Sequence, residues 1–260
     1  MSTRKRQKHD ARVRRLELEA AFRERDRRKR RRTSLAVAAT ALVVLAGGAA
    51  AIGGGGSHTS QAGGVPPREL APLVSLGKLR PAGAPGVPGP EAVAIPDAPP
   101  LADGSSAAAS ATIDGIRCQG AEQVVFHIHA HLTVFVDGAP RQIPHGIGIQ
   151  GAEVTSTPAG PYVAAGSCFY WLHTHAADGI IHVESPVQRT YTLGNFFDVW
   201  GQRLSPSEVG PVSGRVTALY NGQVFRGNPR DIPLTGHAQI QLEAGRPLVA
   251  PVHISFPAGL

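Results

Sequence analysis

Sulfur is scarce in this chain of 260 residues, which contains one methionine and two cysteines. The methionine is Met1, so soft Cu(I) sites built from thioethers are disfavoured. Cys118 and Cys168 form an even pair, which predicts a disulfide in an exported domain. Closing a loop of about 50 residues stabilises a fold by roughly 4 kcal/mol. The alternative interpretation makes Cys168 a metal thiolate near His173.

Aromatic residues are also few, and 13 of the 14 lie in residues 112–260. Residues 54–111 contain ten prolines, much Gly, Ala and Ser, and no aromatic residue. A segment of this composition is not expected to bury a core of its own, so it is predicted to be a flexible or extended linker. The 149 residues of 112–260 have a usual size for one folded domain.

Positive charge is concentrated at the N-terminus. Residues 1–34 hold 15 of the 26 Lys and Arg and 5 of the 19 acidic residues, a net charge of +10. Since the whole chain carries +7, the remainder carries −3. The folded part therefore lacks the basic surface that nucleic-acid binding requires, and no nucleic-acid partner is expected.

An uncharged run of 18 residues, 35–52, follows this basic tail directly. Its length is near the minimum for a membrane-spanning helix, so a single transmembrane helix is predicted over 35–53. The positive-inside rule places the tail 1–34 in the cytoplasm and the domain outside it. A cleaved export signal with secretion is the alternative, because Arg31-Arg32 resembles a twin-arginine signal and 49–51 are small residues.

Histidines alternate with other residues at two places in the folded domain. In the run VFHIHAHLTVFV of residues 125–136, the even-numbered positions from Ile128 onward are all apolar. Alternate residues of a strand share one face, so the histidines of this run project together, away from a core. A second row follows in residues 169–175, and a third short strand after the turn at Asp178-Gly179 adds a histidine and an acid. The predicted metal ligands are His127, His129, His131, His173, His175, His182 and Glu184.

Imidazole with a carboxylate suits divalent transition metals, of which Zn²⁺ and Cu²⁺ are the leading candidates. Four protein ligands would make the site structural or a storage site, whereas three ligands plus water would make it catalytic. In the second case Glu184 or Asp178 is a candidate general base. The hairpin register predicts that His145 faces the core side, unless a bulge near Pro144 turns it towards the site. His237 and His253 are expected to be structural or exposed.

The order of predicted elements is strands, one short helix, then more strands. Helical spacing of apolar residues predicts a helix over 191–204 with Thr192 as N-cap. Asp137-Gly138 and Asn221-Gly222 each predict a two-residue hairpin turn. The fold class is therefore α+β and β-rich, with antiparallel sheets. A β-grasp-like arrangement over 180–245 is one expectation, and a cupredoxin-like or cupin-like barrel is the alternative.

Three blocks in this domain resemble a family of bacterial and archaeal exported domains. They are the HxHxH strand, the block LHTHAADGIIHVES, and the block TLGNFFDVWG that follows it. The likeness covers about 112–260 and implies an extracytoplasmic, membrane-anchored domain. It implies no particular reaction and no catalytic residues.

Three classes of function remain from the sequence. The first is a membrane-anchored extracytoplasmic module that binds or handles a divalent metal through histidines. The second is an exported metalloenzyme, hydrolytic or oxidative, although no GxSxG or Walker motif is present. The third is an interaction domain whose histidines sense pH. The membrane is the only partner that the sequence predicts.

Overall fold

The computed structural model describes residue 65 and residues 69–104 and 110–260. The predicted tail 1–34 and transmembrane helix 35–53 lie outside these residues. Among the residues that are described, no helix is both long and apolar enough to cross a membrane.

Strands dominate the described residues, with one α-helix and two short 3-10 helices between them. The 3-10 helices span Leu73–Leu76 and Pro229–Asp231, and the α-helix, α1, spans Leu193–Trp200. The strands are β1 (Leu70–Ala71), β2 (Val87–Pro88), β3 (Ala94–Ile95), β4 (Thr112–Ile113), β5 (Ile116–Gln119), β6 (Phe126–Val136), β7 (Ala139–Arg141), β8 (Ile149–Gln150), β9 (Glu153–Thr157), β10 (Gly160–Ala165), β11 (Cys168–Tyr170), β12 (Leu172–His173), β13 (Ile180–Ser185), β14 (Leu204–Ser205), β15 (Glu208–Val209), β16 (Val212–Ser213), β17 (Val216–Tyr220), β18 (Gln223–Phe225) and β19 (Gln239–Ala244).

The main sheet has eight strands, in the order β1-β18-β17-β19-β6-β13-β12, with β7 also paired to β6. All of its pairs are antiparallel except β19 with β6, which are parallel. The β-rich α+β class is therefore confirmed. The sheet does not form the barrel that was the alternative, because its edge strands β1 and β12 do not pair with each other.

Both predicted hairpin turns are present. Asp137 and Gly138 have φ angles of 50° and 72°, and Val136 pairs with Ala139 across the turn. Asn221-Gly222 connects β17 to β18 in the same way, again with two positive φ angles. Positive φ at both central residues is typical of a type I′ turn, whose twist matches that of the strands. The turn at 137–138 fixes the register of β7 on β6.

The helix α1 is shorter than the predicted range 191–204. Its N-cap is Thr192, as predicted, whose side chain accepts a hydrogen bond from the backbone N–H of Asn195. The Asn195 side chain in turn accepts one from the Thr192 backbone, which completes a capping box. The helix ends at Gly201, whose left-handed conformation, with φ of 74°, is the usual way to close a last turn.

The main sheet has one apolar and one polar face along β6 and β13. Ala130, Leu132 and Val134 of β6 and Ile181 and Val183 of β13 all belong to the principal buried cluster. The aromatic residues of α1 belong to the same cluster, so this face carries the core. The alternate residues of both strands, which include the histidines, are on the opposite face.

Part of the segment predicted to be a linker packs onto the domain. In residues 69–104, β1 pairs with β18 at the sheet edge and β2 and β3 form a hairpin. Ala71, Val93 and Leu101 are buried. The composition of the segment predicts extended backbone. The pairing of β1, the bridges from Arg80 to Val249 and from Pro100 to Gln142, and a few apolar side chains hold that extended chain against the core.

The Cys118–Cys168 disulfide is present, with 5.4 Å between the two Cα atoms. Cys118 lies in β5 and Cys168 in β11, and these strands pair with each other. Because both cysteines are in this bond, neither is available as a metal thiolate.

Candidate metal centre

The register of three neighbouring strands gathers polar side chains on one face of the main sheet. His182 of β13 lies across from His129 of β6 on one side and from His173 of β12 on the other. Glu184 lies across from His127. Adjacent strands are about 4.8 Å apart, so side chains of all three strands meet above β13. Together with His175, which follows β12, these residues form what we call the histidine cluster: His127, His129, His173, His175, His182 and Glu184.

Two sets of four side chains in this cluster could each hold a metal ion. In each set, one ligand atom per residue lies within 4.8 Å of all the others. His182 and Glu184 belong to both sets. His127, which is 27% exposed, is the only member that is not buried. The first set adds His127 and His129, and the second adds His173 and His175.

A hairpin whose two strands are not part of the main sheet orients His175. The Nδ1–H of His175 donates a hydrogen bond of 2.5 Å to the carbonyl of Val163, in β10. The backbone N–H of Val163 donates to the carbonyl of His175 in return. The ring of Tyr162 stacks on the His175 ring with 5.3 Å between centroids. The hairpin of β9 and β10 thus covers one side of the cluster and fixes this ring.

The tautomers of His173 and His175 follow from their Nδ1 partners. Each Nδ1 lies against a backbone carbonyl, that of Tyr170 at 2.8 Å and that of Val163. A carbonyl only accepts, so each neutral ring carries its proton on Nδ1 and keeps a lone pair on Nε2. These two Nε2 atoms are 3.2 Å apart. Neither can donate to the other, so the contact is repulsive unless a cation lies beside both.

That separation matches two ligands of one metal ion. Nitrogens bound to a tetrahedral Zn²⁺ at about 2.0–2.1 Å lie roughly 3.3 Å apart. His127 and His129 make a second such pair, with 3.1 Å between their Nε2 atoms. The Nε2 of His127 is also 3.1 Å from Oε1 of Glu184. The donor types and their spacing therefore fit a divalent transition metal.

Glu91 sets the tautomer of His182. Its Oε1 lies 2.8 Å from Nε2 of His182, and a carboxylate accepts from an N–H. The proton of neutral His182 is thus on Nε2, and its Nδ1 keeps a lone pair, 3.5 Å from Oε1 of Glu184. A carboxylate that holds the far nitrogen of a ligand histidine is a frequent feature of metal sites.

Four buried polar atoms at and beside the cluster have no hydrogen-bond partner among the described residues. They are Oε2 of Glu91, Oδ2 of Asp178, Nδ1 of His182 and Oε2 of Glu184. Buried polar atoms are nearly always satisfied, and a group of four exceptions in one place calls for a physical reason. The three carboxyl oxygens carry lone pairs that a cation would attract, and Nδ1 of His182 does so in the neutral ring.

Burial and mutual repulsion keep most of the imidazoles neutral. Burial, with the neighbouring His182 and His127, lowers the pKa of His129 to about 2. Burial and His182 lower the pKa of His175 to about 4, and burial and His175 hold the pKa of His173 well below its usual range. Neutral imidazole is the form that binds metal, so these rings are ready ligands at neutral pH.

His182 and Glu184 are shifted in the opposite sense. Although burial lowers it, the contacts with Glu184 and Glu91 raise the pKa of His182 to about 9. Burial raises the pKa of Glu184, but His127 and His182 outweigh it and hold that pKa well below its usual range. In the absence of metal, a proton on His182 thus balances the carboxylate at the centre of the cluster, and a metal ion would replace that proton.

Two acidic residues of the site were not predicted. Glu91 lies between β2 and β3, inside the segment predicted to be a linker. Glu122 lies before β6, and its Oε1 is 3.5 Å from Nε2 of His175. Neither belongs to a periodic pattern or a motif, and no signal in the sequence distinguishes them from other surface acids.

His131 lies apart from the histidine cluster. Its Nε2 donates to the backbone carbonyl of Asp178 at 2.9 Å, and its Nδ1 is 3.4 Å from Oγ1 of Thr133. Both ring nitrogens are therefore engaged, and neither metal set includes the residue. Three alternate residues of a strand span about 13 Å, which is too far for all three to reach one ion.

Beside His131, a cavity of about 250 Å³ opens on the same side of the sheet. Asp178, Phe135, Arg141 and His253 are also among its lining residues, whereas no member of the histidine cluster is. Burial, with repulsion from Glu91, raises the pKa of Asp178 to about 7. Other histidines of the domain are outside the two metal sets: His145 is half-buried in a turn, and His237, whose backbone N–H donates to the carbonyl of His129, stacks its ring on Phe256.

Comparison with known proteins gives no relative. No protein-family model matches the chain, no curated protein matches it, and no solved structure matches its fold. What the protein does must therefore be inferred from its own residues.

Proposed function

We propose that this protein is a membrane-anchored, extracytoplasmic domain that binds a divalent transition metal at the histidine cluster and handles that metal for the cell envelope. One observation carries the proposal. The Nε2 lone pairs of His173 and His175 face each other at 3.2 Å, and the Nδ1 protons of both rings are committed to carbonyls. A cation is the simplest partner for such a pair.

The donor set favours Zn²⁺ or Cu²⁺. Imidazoles and one carboxylate suit both ions, and the described part of the chain offers neither a thioether nor a free thiolate that would select Cu(I). Three features support handling rather than catalysis. The cluster is buried, its only half-buried ligand is His127, and the cavity of about 250 Å³ is lined by none of its members. An ion can thus exchange at the His127 edge, while a larger substrate has no evident approach.

An exported metallohydrolase is the second candidate, because of Asp178. This carboxyl lines the cavity, is close enough to Glu91 and His182 to be affected by their charges, and has a pKa near neutrality. A general base has these properties. In the enzyme, Asp178→Asn abolishes hydrolysis of simple ester or phosphoester substrates by the zinc-loaded protein. If the wild-type protein hydrolyses none of them, this candidate loses its support.

Metal content tests the main proposal. The full chain, purified without a polyhistidine tag, should contain at least one equivalent of metal by elemental analysis. The double variant His182→Ala/Glu184→Gln removes the two residues common to both sets and should contain none. His253→Ala, which alters a histidine outside the cluster, should retain the wild-type content. Circular dichroism checks that each variant folds. A folded double variant with full metal content would overturn the proposal.

The location outside the cytoplasm rests on sequence and on chemistry. The net charge of +10 before residue 35 favours a cytoplasmic tail, and the disulfide is compatible with an oxidising compartment. The resemblance to exported domains agrees with this. Protease added to intact spheroplasts that express the full chain should digest residues 112–260. Protection of that domain would contradict the orientation, and release of a soluble form that begins near residue 52 would favour a cleaved signal.

We also propose that the centre of the fold is β-grasp-like. The chain forms two antiparallel strands, β6 and β13, then α1, then β17, β18 and β19, and the first and last strands pair in parallel at the middle. This arrangement needs β6 and so extends over 126–244, beyond the predicted 180–245. An experimental structure with another strand order would refute it.

A further inference from the structure

We infer that the histidine cluster is a dinuclear centre, which holds two metal ions bridged by the carboxylate of Glu184. The inference rests on the proposed metal-binding function and extends it. The two sets of four ligands share only His182 and Glu184, and each set has a histidine pair of its own. Neither set contains both histidine pairs, so the ligand atoms of the cluster surround two positions for an ion rather than one.

In each histidine pair, the distance between the two Nε2 atoms suits the binding of one ion. The Nε2 atoms are 3.1 Å apart in the pair of His127 and His129, and 3.2 Å apart in the pair of His173 and His175. Both values are close to the roughly 3.3 Å between two ligands of a tetrahedral zinc ion. A single such ion accepts four ligands, whereas the cluster offers six. A single ion between His127 and His129 would leave the Nε2 lone pairs of His173 and His175 facing each other, with their repulsion unrelieved.

Glu184 is placed to join the two ions. Its Oε1 lies 3.1 Å from Nε2 of His127 and 3.5 Å from Nδ1 of His182, which assigns this oxygen to the first ion. Its Oε2 is buried and has no hydrogen-bond partner. A carboxylate that binds one ion through each oxygen suits metals about 3.5–4 Å apart, the usual spacing in two-metal sites.

The two ions would have different coordination. The first has four protein ligands, His127, His129, Nδ1 of His182 and Oε1 of Glu184, which close a tetrahedral shell. The second has His173, His175 and Oε2 of Glu184, so a fourth position is left for water or for Glu122, 3.5 Å from His175. The second ion is thus the one with a coordination position open to water.

The local charge favours divalent ions. Besides Glu184, two carboxylates contact the imidazoles: Glu91 lies 2.8 Å from His182, and Glu122 lies 3.5 Å from His175. These three carboxylates offset most of the four positive charges that two divalent ions bring to the site.

Stoichiometry tests the inference. The full chain, stripped with a chelator and dialysed against Zn²⁺, should bind two equivalents by elemental analysis. His127→Ala/His129→Ala should bind one, and His173→Ala/His175→Ala should also bind one. His253→Ala, the matched control outside the cluster, should bind two. If a double variant does not fold, its single variants should each weaken one of the two binding events in a titration and leave the other unchanged.

Magnetic coupling between two bound Cu²⁺ ions provides a second, independent test of the dinuclear centre. With two equivalents of Cu²⁺, the wild-type protein should show an electron paramagnetic resonance signal reduced by coupling between the ions. Either double variant, loaded with Cu²⁺, should show the full signal of an isolated ion. If the wild-type protein binds one equivalent and each double variant binds none, the centre is mononuclear and only this inference falls. If the wild-type protein binds no metal, the proposed function falls with it.

Discussion

Four buried histidines should make the metal-free protein unstable in mild acid. Burial lowers the pKa of His129 to about 2 and the pKa values of His131 and His175 to about 4, and it holds that of His173 well below its usual range. In the unfolded chain the same groups titrate near 6.5. Between about pH 6.5 and pH 4, the unfolded chain therefore binds more protons than the folded protein does.

The magnitude follows from proton linkage. Each such group lowers the free energy of unfolding by about 1.4 kcal/mol per pH unit as the pH falls through this window. Asp178, whose pKa is raised to about 7, acts in the opposite sense and offsets one histidine. His182, whose pKa is raised to about 9, is protonated in both states below 6.5, and its stabilising effect is lost only as the pH rises through 9. A net three protons give about 4 kcal/mol per pH unit.

Single domains are usually stable by about 5–15 kcal/mol, and a loss of about 4 kcal/mol per pH unit below pH 6.5 amounts to about 5–10 kcal/mol between about pH 5 and pH 4. We therefore expect a metal-free protein in the lower half of that stability range to unfold between about pH 5 and pH 4. The assay is urea denaturation, followed by tryptophan fluorescence, at a series of pH values with chelator present. His131→Gln removes one of the net three protons and should reduce the pH slope by about a third. Added Zn²⁺ should move the acid transition to lower pH, because the ion competes with protons.

A free energy of unfolding that stays constant between pH 6.5 and pH 5 would refute this reasoning. It would mean that the histidines bind protons equally well in the folded and unfolded states. The cluster would then be open to water, contrary to the burial that the structure shows for five of its six members.

Three further predictions concern stability, each measured as the free energy of unfolding in urea. Gly179→Ala should lose about 2 kcal/mol or more, because φ is +87° and the new Cβ would lie 2.3 Å from the carbonyl of Leu132; a wild-type value would contradict that close approach. Removing the disulfide with Cys118→Ala/Cys168→Ala should lose about 4 kcal/mol, and no loss would mean that the bond does not form. Thr192→Ala should lose about 1 kcal/mol through the N-cap, whereas Thr192→Ser should lose little.

The features that the sequence predicted correctly are those that short-range patterns determine. Alternation placed Ala130 and Leu132 in the core and the histidines of β6 on the opposite face. Asp137-Gly138 and Thr192 identified a hairpin and a helix start, since both depend on residues within a few positions. The even count of cysteines predicted the disulfide.

The features that the sequence did not predict depend on contacts between distant segments. Glu91 reaches His182 from a segment rich in proline, across 91 positions of the chain. Composition indicates only that such a segment is extended, not which surface it lies against. The departure of His131 from the cluster has a related cause. Period-two spacing assigns a face, but the position of the ion along that face depends on which strands are neighbours and in what register.

The most direct test of the account is to locate the metal. Anomalous diffraction from crystals of the zinc-loaded protein, recorded on both sides of the zinc absorption edge, identifies each ion by element and position. We expect anomalous zinc peaks within about 2.0–2.3 Å of Nδ1 of His182 and of the Glu184 carboxylate. The absence of any peak within the histidine cluster, or a peak only at His237 or His253, would contradict it.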